Sequence, residues 1–316
     1  MSLWHCDRPL FRGGGFFFFY LLLHLSAASV MAQDFVVRGT CSQPLRGRMT
    51  LTIYDGDSTV RTMKCPVLDT FRLEGQVSKV CVATLSCGKM APLLFFLEPS
   101  EINIALDVGN PAASRINGSR SNSQYRYLLE SCSEEGMRCL MQYVADNPTS
   151  PFSPLLLYEH LSSVELVEAD RLCRAMKGEA THTYHYHLLR RQLRALLSVA
   201  EGSRVPDFQF VDSSGCVLHY DSIASGEGCM VVLVSASWCS TCRNAEAVVR
   251  SLPEGVARQT ILVEQQPRRW DAPCLRTLVI DHIPYIILID SHGNIVERDL
   301  RHWELLRRLK EYGCIQ

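Results

Sequence analysis

The chain has 316 residues, 32 Lys and Arg against 33 Asp and Glu, and a net charge of −1. That length predicts two or three folded units, and the balanced charge offers no electrostatic footprint for a nucleic acid or an anionic membrane surface. Fourteen cysteines, thirteen of them after residue 32, leave an odd number, so at least one is unpaired or shared between molecules.

Residues 1–32 carry Arg8 and Arg12, then the apolar run Phe16 to Val30, then Val30-Met31-Ala32 ahead of Gln33. This is the order of a secretory signal peptide cleaved after Ala32. The run is short for a spanning helix, which needs about 20 apolar residues, and it contains His24. No cysteine stands where a lipoprotein signal needs one, and no later segment could span a membrane. A soluble exported protein is expected, with an uncleaved N-terminal anchor as the alternative.

Residues 33–117 read as a small all-β sandwich. Met49, Leu51 and Ile53 alternate with polar neighbours, as do Phe71 and Leu73; Val80, Val82 and Leu85 form another strand-like run, and turn signals such as Cys87-Gly88-Lys89 and Pro99-Ser100 separate the runs. No acid, base or nucleophile cluster marks this part, which reads as a packing or partner-binding unit. Cys81 and Cys87 share a strand face but lie too far apart to bond to each other. Any single cysteine outside the CxxC reads as an inert core thiol rather than a disulfide.

Residues 118–202 form a helical linker region that begins at the polar joint Asn117-Gly118-Ser119. Tyr125, Leu128, Leu129 and Cys132 fit one helix face, and Leu140, Met141 and Val144 another, before Asn147-Pro148 stops the pattern. A third helical stretch, ending near Ala200, contains His182, His185 and His187. These spacings do not share a helix face, so the tract reads as solvated helix surface and not as a metal site.

Residues 203–316 alternate strands and helices, which predicts a layered α/β unit. Its centre is Val231 to Val249. Four apolar residues without alternation, Val231 to Val234, describe a strand covered on both faces. Small residues follow, then Trp238-Cys239-Ser240-Thr241-Cys242 and a helical pattern through Ala245 and Val249. Cys239 is expected at a helix N-terminus, where free amides and the helix dipole favour a thiolate; Cys242, one turn later, can attack a mixed disulfide on Cys239. Further helices are expected from about Trp270 to Val279 and from His302 to Tyr312. A zinc site lacks a second Cys or His pair, and a peroxide-reactive cysteine would need a threonine where Ala236 stands. Cys216, Cys229, Cys274 and Cys314 read as non-catalytic.

This last part resembles a thioredoxin-like domain of the TlpA/ResA type, carried by Val205-Pro206-Asp207-Phe208, by Ala236-Ser237-Trp238-Cys239-Ser240-Thr241-Cys242-Arg243, and by His282-Ile283-Pro284-Tyr285 leading into a strand. Phe95-Phe96-Leu97-Glu98-Pro99 and Ile116-Asn117-Gly118-Ser119 resemble the N-terminal β-domain that precedes such domains in Gram-negative envelope proteins. The resemblance implies a periplasmic thiol-disulfide oxidoreductase with Cys239 as nucleophile, Cys242 as resolving cysteine and a cis Pro284. Trp238 and Ile283 would then border the substrate groove. The expected partners are protein thiols and disulfides and a thiol redox partner, with no organic cofactor and no metal. Two departures stand out. Leu233 occupies the place of a buried carboxylate found in the family, and Ala245 the place of a glutamate, with Glu246 one residue on and expected to face solvent. An envelope binding scaffold with a redox-inactive thioredoxin-like fold is the alternative.

Overall fold

The computed structural model describes residues 33–56, 59–212, 214–223 and 228–315. The expected leader, 1–32, lies outside them. No helix among the described residues is long and apolar enough to cross a membrane.

The first half is built of β1 (Gln33–Cys41), β2 (Gly47–Asp55), β3 (Thr59–Val67), β4 (Thr70–Val77), β5 (Cys81–Ser86), β6 (Leu93–Leu97), β7 (Glu101–Leu106) and β8 (Arg115–Asn117). They form two four-stranded sheets, in the orders β4-β1-β7-β8 and β3-β2-β5-β6. Alternation along each strand sends one set of side chains between the sheets: Phe35, Met49, Leu51, Ile53, Leu73 and Ile102 are all nearly or fully buried there. Gly39 is required opposite Phe71, because a Cβ would stand 2.0 Å from that ring.

Five helices follow: α1 (Arg120–Ser131), α2 (Met137–Asp146), α3 (Ser153–Glu159), α4 (Leu166–Ala175) and α5 (Tyr184–Ser198). The joint into them is fixed by polar bonds. The Ser119 hydroxyl accepts the Asn122 amide at 3.1 Å and caps α1. The Asn122 side chain then pairs with both backbone groups of Phe96, at 2.8 and 2.6 Å, so it extends the ladder of edge strand β6. Val82 and Phe96, on the outer face of the same sheet, pack with Phe152, Leu156, Leu172 and Leu189 of the helices. The helices therefore share a core with the sandwich and do not merely link it to residues 203–316.

The histidine tract departs from the solvated helix surface expected of it. His182 ends a 3₁₀ turn, the Thr183 hydroxyl caps α5 by accepting the Tyr186 amide at 3.2 Å, and His185 points inward. Its ring is only 9% exposed and lies 6.1 Å from Tyr54, 6.1 Å from Tyr158 and 5.5 Å from Tyr184, centroid to centroid. Periodicity could not show this, because the partner surface comes from β2. Burial lowers the His185 pKa to about 4. A folded value below the unfolded one, about 6.5, means protonation favours unfolding. Stability is complete above pH 6.5 and falls as pH drops toward 4, by about 3 kcal/mol. The difference in unfolding free energy between wild type and His185→Phe, followed from pH 7 to pH 4, should change by about that amount; a flat difference would contradict this placement.

The C-terminal unit contains β9 (Gln209–Val211), β10 (Val217–His219), α6 (Tyr220–Ile223), β11 (Met230–Ser235), α7 (Cys242–Arg250), β12 (Ala257–Leu262), α8 (Pro273–Thr277), β13 (Tyr285–Ile289), β14 (Ile295–Arg298) and α9 (Leu305–Glu311). The main sheet runs β12-β11-β13-β14, with β11 and β12 parallel and the other pairs antiparallel. Every residue of β11 is buried: Val232 and Val234 face Phe210 and Leu275, while Val231 and Leu233 face Ala245, Val249 and Leu305. Gly202 and Ser203 bond to Ile295 of β14, and the Val205 amide donates to Gly293 in the turn ahead of it, which covers the start of an otherwise open sheet edge. Two helices are shorter than their sequence patterns. Pro273 starts α8 only after a 3₁₀ turn, and Arg301 to Glu304 form a turn ahead of α9.

Four cysteines expected as inert thiols are cross-linked. Cys132–Cys139 ties α1 to α2, and Cys229–Cys314 ties the start of β11 to the chain beyond α9. Among the described residues, Cys41, Cys65, Cys81, Cys87, Cys173, Cys216 and Cys274 are free.

Candidate active site

Pairing of Val234 with Tyr285 sets the end of β11 beside the start of β13, and the antiparallel β13–β14 register brings the end of β14 to the same edge. Because β12 runs parallel to β11, its end lies there too. The loops leaving these strands hold Trp238, Trp270 and Trp303, which are 62%, 41% and 69% exposed.

The chain leaving β11 turns through Ala236, whose carbonyl accepts the Cys239 amide at 3.0 Å, and enters α7 at Cys242. Cys239 thus precedes the first helical residue and does not belong to it. Cys239 and Cys242 form a disulfide with Cα atoms 5.3 Å apart. Cys239 retains 8% exposure and Cys242 none, so an incoming sulfur reaches Cys239 first. The Cys242 amide donates to the Cys239 Sγ at 3.2 Å, and the Thr241 hydroxyl lies 3.3 Å from it. These two groups can hold a thiolate on Cys239 once the disulfide opens. The Ile283–Pro284 peptide bond is cis, and Ile283, half-buried, packs on the apolar cluster that contains both cysteines.

Leu233 is fully buried on the Ala245 side of β11. Glu246 is half-buried and not simply a solvent-facing charge. Its carboxylate accepts the hydroxyl of Ser235, a fully buried residue two places beyond Leu233 on the same strand face. Glu246 also stands one helical turn after Cys242, at i and i+4. A carboxylate therefore reaches this side of the site from α7, where the sequence places leucine in the strand. Glu264 accepts the Ser237 amide at 2.8 Å on the β12 side. Burial by itself would raise the Glu264 pKa, but the bond from Ser237 and the nearby Arg269 charge keep it below the ordinary value. Neither Ser235 nor Glu264 was legible as a site residue; a lone polar residue ending an apolar run was the available signal for Ser235.

On the cis-proline side, His282 lies between two carboxylates, with Nδ1 2.8 Å from Asp281 and Nε2 2.9 Å from Asp299. The Asp281 bond, opposed by partial burial and joined by Asp299, raises its pKa. Among the described residues no group of three or more His, Cys, Asp or Glu could hold a metal.

The sheet order, the CxxC where β11 gives way to α7 and the cis proline before β13 define a thioredoxin-like fold for the C-terminal unit. No protein-family model matches the sequence, and no curated protein matches it. Solved structures similar to it include the thioredoxin domain of a thiol-disulfide oxidoreductase from Bacteroides vulgatus, 18% identical, covering 36% of this chain and 99% of that one with a TM-score of 0.30. A thioredoxin-like protein from Bacteroides caccae is 7% identical and covers 61% of this chain and 85% of that one, with a TM-score of 0.40. An exposed lipoprotein thioredoxin from Streptococcus pneumoniae is 16% identical over 34% of this chain and 99% of its own, with a TM-score of 0.27.

Proposed function

We propose that the chain is an exported thiol-disulfide oxidoreductase that exchanges disulfides with protein substrates. The observation that carries this reading is the unequal pair: a reachable Cys239 with two hydrogen-bond donors at its sulfur, and a sheltered Cys242 one turn on. The leader pattern over 1–32 supports export to the periplasm, and so do two further cross-links, which persist in oxidising compartments.

In the reductive direction the Cys239 thiolate attacks one sulfur of a substrate disulfide. A mixed disulfide forms and the first substrate thiolate leaves. Cys242 loses its proton and attacks the Cys239 sulfur, which closes the Cys239–Cys242 bond and frees the second substrate thiol. Two electrons have passed to the substrate, and a thiol partner must return them. The oxidative direction reverses each step. Pro284 and Ile283 border the place where an extended substrate lies, with Trp238 at the rim.

Glu246, held by Ser235, takes the Cys242 proton in the second step. Glu246→Gln and Ser235→Ala should each slow release of the mixed disulfide about tenfold and shift its pH profile upward, while formation of the mixed disulfide keeps its rate. Stopped-flow thiol release from a disulfide-bonded protein separates the two phases; equal slowing of both would assign the dyad a purely structural part.

A further inference from the structure

The edge where β11 and β14 end and β13 begins also meets the helical layer. A groove of about 550 Å³ lies between them, walled by Glu159, Leu161 and Leu196 on the helical side and by Asp281, His282 and Asp299 on the other. Neighbouring strands are about 4.8 Å apart, so the end of β14 lies about 10 Å from that of β11. An extended chain rising about 3.3 Å per residue crosses that gap in about three residues.

The polar groups of the groove are committed unequally. Arg298 spends its guanidinium inside the wall, donating to the Tyr285 hydroxyl at 2.7 Å, the Val199 carbonyl at 2.8 Å and the Leu278 and Val279 carbonyls at 2.8 and 3.2 Å. Both ring nitrogens of His282 are taken by Asp281 and Asp299. Glu159 has no hydrogen-bond or ion-pair partner among the described residues; its electrostatic neighbours are His160 and Tyr125. What remains open is acceptor capacity on three carboxylates, of which Asp281 stands 93% exposed at the mouth, together with the Ser162 hydroxyl and the Gln192 amide. Leucine side chains, the Tyr158 ring, Ala200 and Val279 line the rest. Apolar walls ending in carboxylates fit a long aliphatic stem with a cation at its tip.

We infer that this groove receives an arginine or lysine side chain about three residues from the reacting cysteine of an extended substrate polypeptide, and that the helical layer thereby takes part in choosing substrates. The inference rests on the exchange activity proposed above and names the substrate class for the same site. It also gives the helices a place in the chemistry that the cysteine pair alone does not.

The test uses the full mature chain and disulfide-linked peptides that differ only at the positions three residues to either side of cysteine, where they carry Arg, norleucine or Glu. Exchange is measured by kcat/KM and binding by fluorescence anisotropy, with glutathione disulfide as the probe that has no flanking residues. The Arg peptide should exceed the Glu peptide about tenfold in both readouts. Glu159→Gln with Asp281→Asn should reduce that ratio below about twofold and leave the glutathione disulfide rate unchanged. Glu159→Lys with Asp281→Lys should invert the preference toward the Glu peptide, which a loss of packing would not do. Equal values for the three peptides, or an Arg preference that survives both double variants, overturn the inference. If glutathione disulfide does not exchange either, the activity reading falls, and the anisotropy ratio alone decides the groove: tenfold tighter binding of the Arg peptide upholds it, and equal binding overturns it.

Discussion

Cys239→Ser should lower kcat/KM for protein disulfides by at least about a thousandfold, because it removes the only sulfur of the pair that an incoming disulfide can reach. Cys242→Ser should behave differently. Its Cys239 still attacks, so one equivalent of substrate thiol is released and the enzyme stops as a mixed disulfide with its substrate. That covalent complex appears on a non-reducing gel and disappears with reductant. A binding scaffold would instead hold its partner equally in wild type and in both variants, with no covalent complex in any of them.

The Cys229–Cys314 cross-link should dominate the stability of the C-terminal unit. Its cysteines are 85 residues apart in sequence, and closing a loop of that length stabilises by about 4.6 kcal/mol in the chain-entropy account. The bond also anchors the end of the chain, beyond α9, to the strand that leads into the CxxC. Cys132–Cys139, with a separation of only 7, should contribute about 2.5 kcal/mol by the same relation. Paired Cys→Ala variants, unfolded in denaturant without reductant, measure both. A loss below about 1 kcal/mol for the Cys229/Cys314 pair, or the reverse ranking, would show that the long loop is already constrained in the unfolded chain.

The contrast between what was legible and what was not tracks the range of the interactions. Alternation at Met49, Leu51 and Ile53 depends only on the two faces of a strand, and it placed the sandwich core correctly. The unbroken run Val231 to Val234 marked the central strand, because burial on both faces leaves no alternation. The cysteine spacing marked Cys239 and Cys242 as neighbours one helical turn apart, and the structure joins them as a disulfide. The remaining features depend on partners distant in sequence. His185 reads as a polar helix residue until Tyr54 of β2 is laid against it. The pairing of Cys229 with Cys314 is invisible until α9 returns to the sheet. Glu246 looks displaced from its useful place when counted along the helix, and only the register of β11 against α7 shows Ser235 waiting for it. The groove beside His282 belongs to two parts of the chain that share no motif.

The measurement closest to the central claim is a redox titration of the mature protein in glutathione buffers, with free thiols trapped and mapped by mass. The Cys239–Cys242 pair should pass through one reversible two-electron transition, while Cys132–Cys139 and Cys229–Cys314 stay oxidised across the same buffers, as structural disulfides below about −300 mV do. A Cys239–Cys242 bond that remains closed or unreactive in every buffer would contradict a function in disulfide exchange.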